Sequence, residues 1–158
     1  MKIRLLMLGK NKDSYIGEGI ADFSKKISPL AELELAYLKD ERVHDDVRKV
    51  LEREAETLQQ ALRPDEYLVV LDDKGKGFTT EQLEQHFTKL KDQGIGKICF
   101  IIGSSHGLAP QILEKADLVL SLSALTMNHQ IVRLVLLEQL YRVFTIQRGM
   151  KYHKGEGG

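Results

Sequence analysis

The chain has 158 residues, 42% of them hydrophobic and 29% charged, which allows one globular domain with a full core and excludes a disordered or fibrous class. Lys and Arg total 23, as do Asp and Glu, so the formal net charge is zero and the global balance carries no nucleic-acid signature. Cys99 is the only cysteine, which excludes an intrachain disulfide, disfavours a cysteine-based metal site and suits a reducing cytosol. The opening MKIRLLMLGK turns polar too soon for a signal peptide, and no apolar run reaches the length of a transmembrane helix.

Residues 3–8 form a short apolar strand closed by Gly9. Residues 14–27 read as a helix, with Tyr15, Ile16, Gly19, Ile20, Phe23 and Ile27 near helical spacing. Residues 33–38 alternate as a strand does. Residues 45–62 form a charged amphipathic helix, with Val47, Val50, Leu51, Ala55, Leu58 and Leu62 on one stripe, halted by Pro64. A buried-type strand is expected over 67–71, then a loop over 72–77, DDKGKG. Residues 80–93 form a helix capped by Thr79 or Thr80. A strand over 97–102, a short helix over 110–116 and a strand over 118–122 follow. Residues 130–144 form a long helix, apolar all round and therefore buried on more than one side, either within the core or against a second subunit. Strands alternating with helices predict a parallel α/β sheet covered on both faces, with no repeat and no linker.

Open parallel sheets bind ligands at the carboxyl ends of their strands. Segments 71–77, 103–107 and 121–129 leave three such ends and converge on one site if their strands are neighbours. The turn GSSHG at 103–107 fits G-x-S-x-G, the pattern of a hydrolase nucleophile elbow. That chemistry requires Ser105 as nucleophile, with Asp117 and His129 or His153 after it, and more sheet than this chain supplies. There is no GxGxxG, and GKGFTT lacks the Walker spacing. The five histidines, at 44, 86, 106, 129 and 153, form no HxxxH-type metal pair. His44 and His86 fall on exposed-looking helical stretches, whereas His129 opens the last helix at the end of a candidate ligand loop. Residues 129–158 carry Arg133, Arg142, Arg148, Lys151 and Lys154 against Glu138 and Glu156, a local surplus of +3 that suits either phosphates or plain solvent.

The segment SLSALTMNHQIVRLVLLEQLYRVFTIQRGMKYHK strongly resembles the C-terminal signature of the RlmH (YbeA-like) family of small SPOUT-class methyltransferases. It carries S-x-S-x-x-T-x-x-H-Q, V-R-L-V-L-x-E-Q-x-Y-R and a terminal Y-H-K. The resemblance spans essentially the whole chain, through KIRLLMLGK, LVVLDDKGK and FIIGSSHGL, where the family typically has I-G-G-x-x-G-L. It implies an α/β knot: a single domain over 1–158, a parallel sheet with helices on both faces, and a C-terminal trefoil knot, an exception to the rule against threaded chains. It also implies a cytoplasmic homodimer, S-adenosylmethionine as methyl donor, no metal, and methylation of N3 of pseudouridine 1915 in 23S rRNA of the large ribosomal subunit.

The donor site implied by the resemblance comprises Leu71, Gly103, Leu122, Ser123, Ala124, Leu125, Thr126 and Met127. His129 and Arg142 are implied for positioning or charge stabilisation. Arg133, Tyr152, His153 and Lys154 are implied on the substrate side, either holding rRNA or completing the partner subunit's site, with a basic tail over about 146–158 as a further rRNA contact. Two positions depart from the family pattern. Ser104 stands where the second loop glycine is usual, and Asn128 where a proline usually precedes the signature histidine. The competing readings are a non-catalytic RNA- or ribosome-binding protein on the same fold, and a small serine hydrolase using Ser105.

Overall fold

The computed structural model describes residues 1–41 and 46–153. The expected helix start at residue 45, His44, Lys154 and the last residues of the basic tail lie outside the described residues. The elements in chain order are β1 (Lys2–Leu8), α1 (Ser14–Ile27), β2 (Glu32–Leu38), α2 (Val47–Ala61), β3 (Tyr67–Gly77), α3 (Thr80–Asp92), β4 (Lys97–Ile102), α4 (Pro110–Lys115), β5 (Leu118–Ser121) and α5 (His129–Gln147). The strands form one sheet in the order β2-β1-β4-β3-β5, and every pairing is parallel.

Alternate side chains of each central strand enter two separate cores. Ile3, Leu5, Val69, Ile98 and Phe100 face α1, α3 and α5, while Leu6, Leu8, Val70, Cys99 and Ile101 face α2 and α4. Burial on both faces explains why β4 reads as a continuous apolar run and β1 as one broken only by Arg4, which is buried in an ion pair with Glu66. Two caps set helix starts. Asp46 accepts from the Arg48 amide at 3.0 Å, and Thr79, not Thr80, closes a reciprocal capping box with Gln82. No helix among the described residues is long and apolar enough to cross a membrane.

Three expectations need correction. The stretch 72–77 is not a free loop: β3 runs on to Gly77, and both Leu71 and Lys76 pair with Leu120, so the intervening residues bulge outward. Its polar composition mimics a turn, but a Cβ on Gly75 would lie 2.6 Å from the Val119 carbonyl oxygen, so only glycine lets the strand pass so close. His86 is not a plain surface residue. It is half-buried beside Phe78, with Nε2 3.2 Å from the Tyr67 hydroxyl, contacts supplied by β3 and invisible to helical spacing. The last helix extends to Gln147, because Thr145 is fully buried and continues its packed face.

Candidate active site

The strand order sets β4, β3 and β5 side by side, so the segments leaving their carboxyl ends meet around a cavity of about 370 Å³. Leu71, Asp72 and Asp73 line it from β3, and Gly103, Ser104, Ser105 and Gly107 from the turn after β4. Leu122, Ser123, Leu125, Thr126 and Met127 line it after β5, and His129 and Val132 from the start of α5. Of the donor residues expected from the resemblance, only Ala124 is missing from these walls; it is exposed. A Cβ on Gly103 would sit 2.7 Å from the Gly107 carbonyl oxygen and 2.9 Å from Leu108 Cγ, so the turn closes only around a hydrogen. Ser121 Oγ lies 3.1 Å from the Asp73 carbonyl and 2.9 Å from that of Ser123, and Ser123 Oγ accepts from the Leu125 amide at 3.0 Å. These bonds fasten the bulge of β3 to the loop after β5.

Both departures from the family pattern are accommodated. Among the described residues only glycines have a positive φ, so Ser104 occupies ordinary backbone, and its hydroxyl donates to the buried Glu54 at 2.7 Å. Asn128 replaces proline's rigidity with a cap, accepting from the Gln130 amide at 2.7 Å. Gln130 in turn accepts from the Lys12 amide at 3.1 Å and donates to the Lys10 carbonyl at 3.2 Å, tying the segment after β1 to the start of α5.

His129 is half-buried at the cavity rim. Burial, reinforced by Arg133 and Lys12, lowers its pKa below the ordinary value, so the ring is neutral near pH 7. Its Nε2 accepts from the Gln130 side-chain amide at 3.3 Å, which leaves the proton on Nδ1. Arg133 is enclosed by the fold. It is 0% exposed, and its guanidinium donates to the carbonyls of Leu8 (2.8 Å) and Gly9 (2.9 Å) and to Asn11 Oδ1 (2.9 Å). The carboxyl end of β1 needs donors, and Arg133, expected on the substrate side, supplies them from inside the single chain.

A second group lies near the far end of α5. Arg142 Nε donates to both oxygens of Glu138, at 2.9 and 2.7 Å, and its guanidinium lies 4.8 Å over the Tyr152 ring. Tyr152 donates to Glu138 at 3.1 Å, and His153 Nε2 is 2.7 Å from Glu81 on α3. That contact lowers the Glu81 carboxyl pKa. Thirteen residues of helix separate Arg142 from His129, which is about 20 Å of rise. Within one chain the two expected catalytic residues therefore do not share a site.

A family model described as "Predicted SPOUT methyltransferase" matches residues 1–153. The chain belongs to the SPOUT methyltransferases. It is 42% identical to "Ribosomal RNA large subunit methyltransferase H" of Halothermothrix orenii, the alignment covering 98% of this chain and 100% of that one. It is 41% identical to the protein of the same name from Desulforamulus reducens, covering 98% and 99%. A crystal structure of a probable methyltransferase from Bordetella pertussis Tohama I superposes with a TM-score of 0.57 at 15% identity, covering 91% of this chain and 96% of that one, which shows the shared fold.

SPOUT methyltransferases use S-adenosylmethionine, and this cavity fits it. The volume is in the range of small-ligand sites. Leucine, valine and methionine walls suit a purine and the carbon groups around a sulfonium, and the turn at Gly103 brings bare backbone to the ligand. The hydrolase reading does not assemble. Ser105 follows the carboxyl end of β4, whereas Asp117 accepts from the Leu68 amide at 2.7 Å, at the amino end of β3. Asp72 and Asp73 fall within the expected segment 71–77 without having been singled out, whereas Val132 in the cavity wall lies beyond the expected segment 121–129 and was missed. Glu54 was also missed, because it lies 50 residues from its partner Ser104 and gives no local signal.

Proposed function

We propose that this chain methylates N3 of pseudouridine 1915 in 23S rRNA of the large ribosomal subunit, working as a homodimer with the C-terminal segment threaded as a trefoil knot. One observation carries the reading: a single cavity gathers Leu71, Gly103 and five of the residues 122–127, with His129 at its rim. The relatives named as rRNA methyltransferases, aligned over nearly their whole length, support the substrate class.

When bound, the donor would supply an electrophilic methyl carbon on a sulfonium, open to in-line attack by the base nitrogen, so that the nitrogen–carbon bond would form as the carbon–sulfur bond breaks and its electron pair passes to sulfur. The protein's contribution is largely positioning. Leu71, Gly103 and the loop 122–127 hold the donor against the carboxyl ends of β3 and β4. The uracil-like N3 carries a proton that must leave; the neutral ring of His129 at the cavity rim supports reading it as the group that orients the base, or that accepts the proton once Nε2 exchanges Gln130 for the substrate.

Arg142, Tyr152 and His153 stand too far from their own His129 to assist it, so they serve the site of the partner subunit, where a guanidinium and a phenol stabilise anionic base and phosphate. Exposed Tyr15 on α1 and Ile131 on α5 supply apolar surface for such a contact. Lys154 and the basic tail add charge toward rRNA. A local surplus of +3 on a neutral chain is a small electrostatic footprint, so recognition depends on the shape of an assembled ribosomal surface.

Mixing two inactive variants tests the shared site. H129A and R142A homodimers should each be nearly inactive on ribosomes, while their mixture regains activity, because each heterodimer retains one site with both residues. A mixture as inactive as its parents overturns the shared site. Mass spectrometry of rRNA from cells lacking the protein tests the substrate, since an unchanged methyl-pseudouridine refutes it. Naked rRNA fragments methylated as fast as ribosomes would refute recognition by shape. Calorimetric uptake of S-adenosylmethionine separates the enzyme from a non-catalytic RNA-binding protein on this fold.

A further inference from the structure

Glu54 is a carboxylate only 2% exposed on the inner face of α2, beside the buried residues Val50, Ala55 and Leu58. Such a group is costly to bury unless its lone pairs are used. Oε1 accepts from Ser104 Oγ at 2.7 Å, and Oε2 accepts from the Glu41 amide at 3.0 Å. Ser104 is 8% exposed and lines the donor cavity. Its Oγ also accepts from the His106 amide at 3.3 Å, and its carbonyl accepts from the Gly107 amide at 3.0 Å. The Gly107 carbonyl is the atom against which Gly103 packs. One carboxylate oxygen is thus connected to the whole turn that walls the cavity beside β4, and the other to the segment leaving β2.

We infer that Glu54 is a positioning residue for donor binding, acting through Ser104: the pair sets the turn 103–107 in the shape that admits the donor. The serine in place of a glycine at 104 is then one half of a buried pair built into this chain. The inference rests on reading the cavity as the S-adenosylmethionine site.

Calorimetric titration with S-adenosylmethionine, alongside thermal melts, tests it. E54A and S104A should each raise the donor dissociation constant by about tenfold, the scale of one lost charge-assisted hydrogen bond. E54Q keeps an amide oxygen that accepts from Ser104 and should recover most of the affinity. The E54A/S104A double variant should bind no worse than E54A alone, because the two residues act as one unit. In turnover, the donor KM should rise while kcat at saturating donor holds. L58A, in the same core but away from the cavity, should lower the melting temperature and leave donor affinity at the wild-type value. Wild-type affinity in both E54A and S104A overturns the inference, as does L58A weakening the donor as much as E54A does. Wild-type protein that takes up no donor overturns the cavity reading and this inference with it.

Discussion

Replacing Arg133 by methionine separates a substrate contact from a structural one. The guanidinium is fully buried, and two of its three bonds go to backbone carbonyls at the end of β1, those of Leu8 and Gly9. Methionine fills a similar volume and removes the cost of desolvating the charge, which already lowers the Arg133 pKa. It leaves both carbonyls without a donor, and each buried unsatisfied acceptor costs about 1–3 kcal/mol. A net loss of about 3 kcal/mol follows, which for a chain of this size shifts Tm down by about 6–12 °C. Differential scanning calorimetry of R133M measures this directly, and a parallel donor titration shows whether the loss of stability spreads to the cavity. If R133M melts within about 2 °C of wild type yet loses rRNA methylation, the structural account is wrong and Arg133 meets the substrate.

Gly103→Ala places a methyl group 2.7 Å from the Gly107 carbonyl, so about 1–3 kcal/mol of overpacking should fall on the turn. Donor affinity measured by calorimetry should drop about tenfold or more, and unchanged affinity would show that the turn adapts freely. His86 and His129 are both held below the ordinary value of 6.5, chiefly by burial. The unfolded chain therefore takes up protons first as pH falls, so this contribution to stability is complete above about pH 6.5 and is lost as pH falls through the folded values. H86N should flatten the acid limb of a plot of Tm against pH, and an unaltered limb would contradict the assignment. The buried Cys99 thiol is pushed up to about 12 by burial, so iodoacetamide should label it only when the fold opens. Added donor should slow that labelling, whereas fast labelling of the folded chain would refute the burial.

The elements and their alternation were legible because each strand is a short apolar run and each helix shows its own period. Those signals lie within a few residues and need no partner. The three strand-end segments were legible for the same reason, while Gly103 was singled out within its segment only by the resemblance to the family. The order β2-β1-β4-β3-β5 was not legible, since an apolar run does not say which neighbour it will pair with, and that order is what turns three separate turns into one cavity. Arg133 reads as one more basic residue in a basic segment, and only the packing of α5 against β1 makes it an internal donor. The bulge in β3 depends on Val119 passing beside Gly75, and the role of Ser104 on a carboxylate 50 residues away. Local periodicity therefore determined the architecture and the segments that carry the chemistry. Which polar side chains face the ligand, and which are consumed inside, was decided by contacts between residues distant in the chain, because a buried polar group must find its partner wherever the fold supplies one.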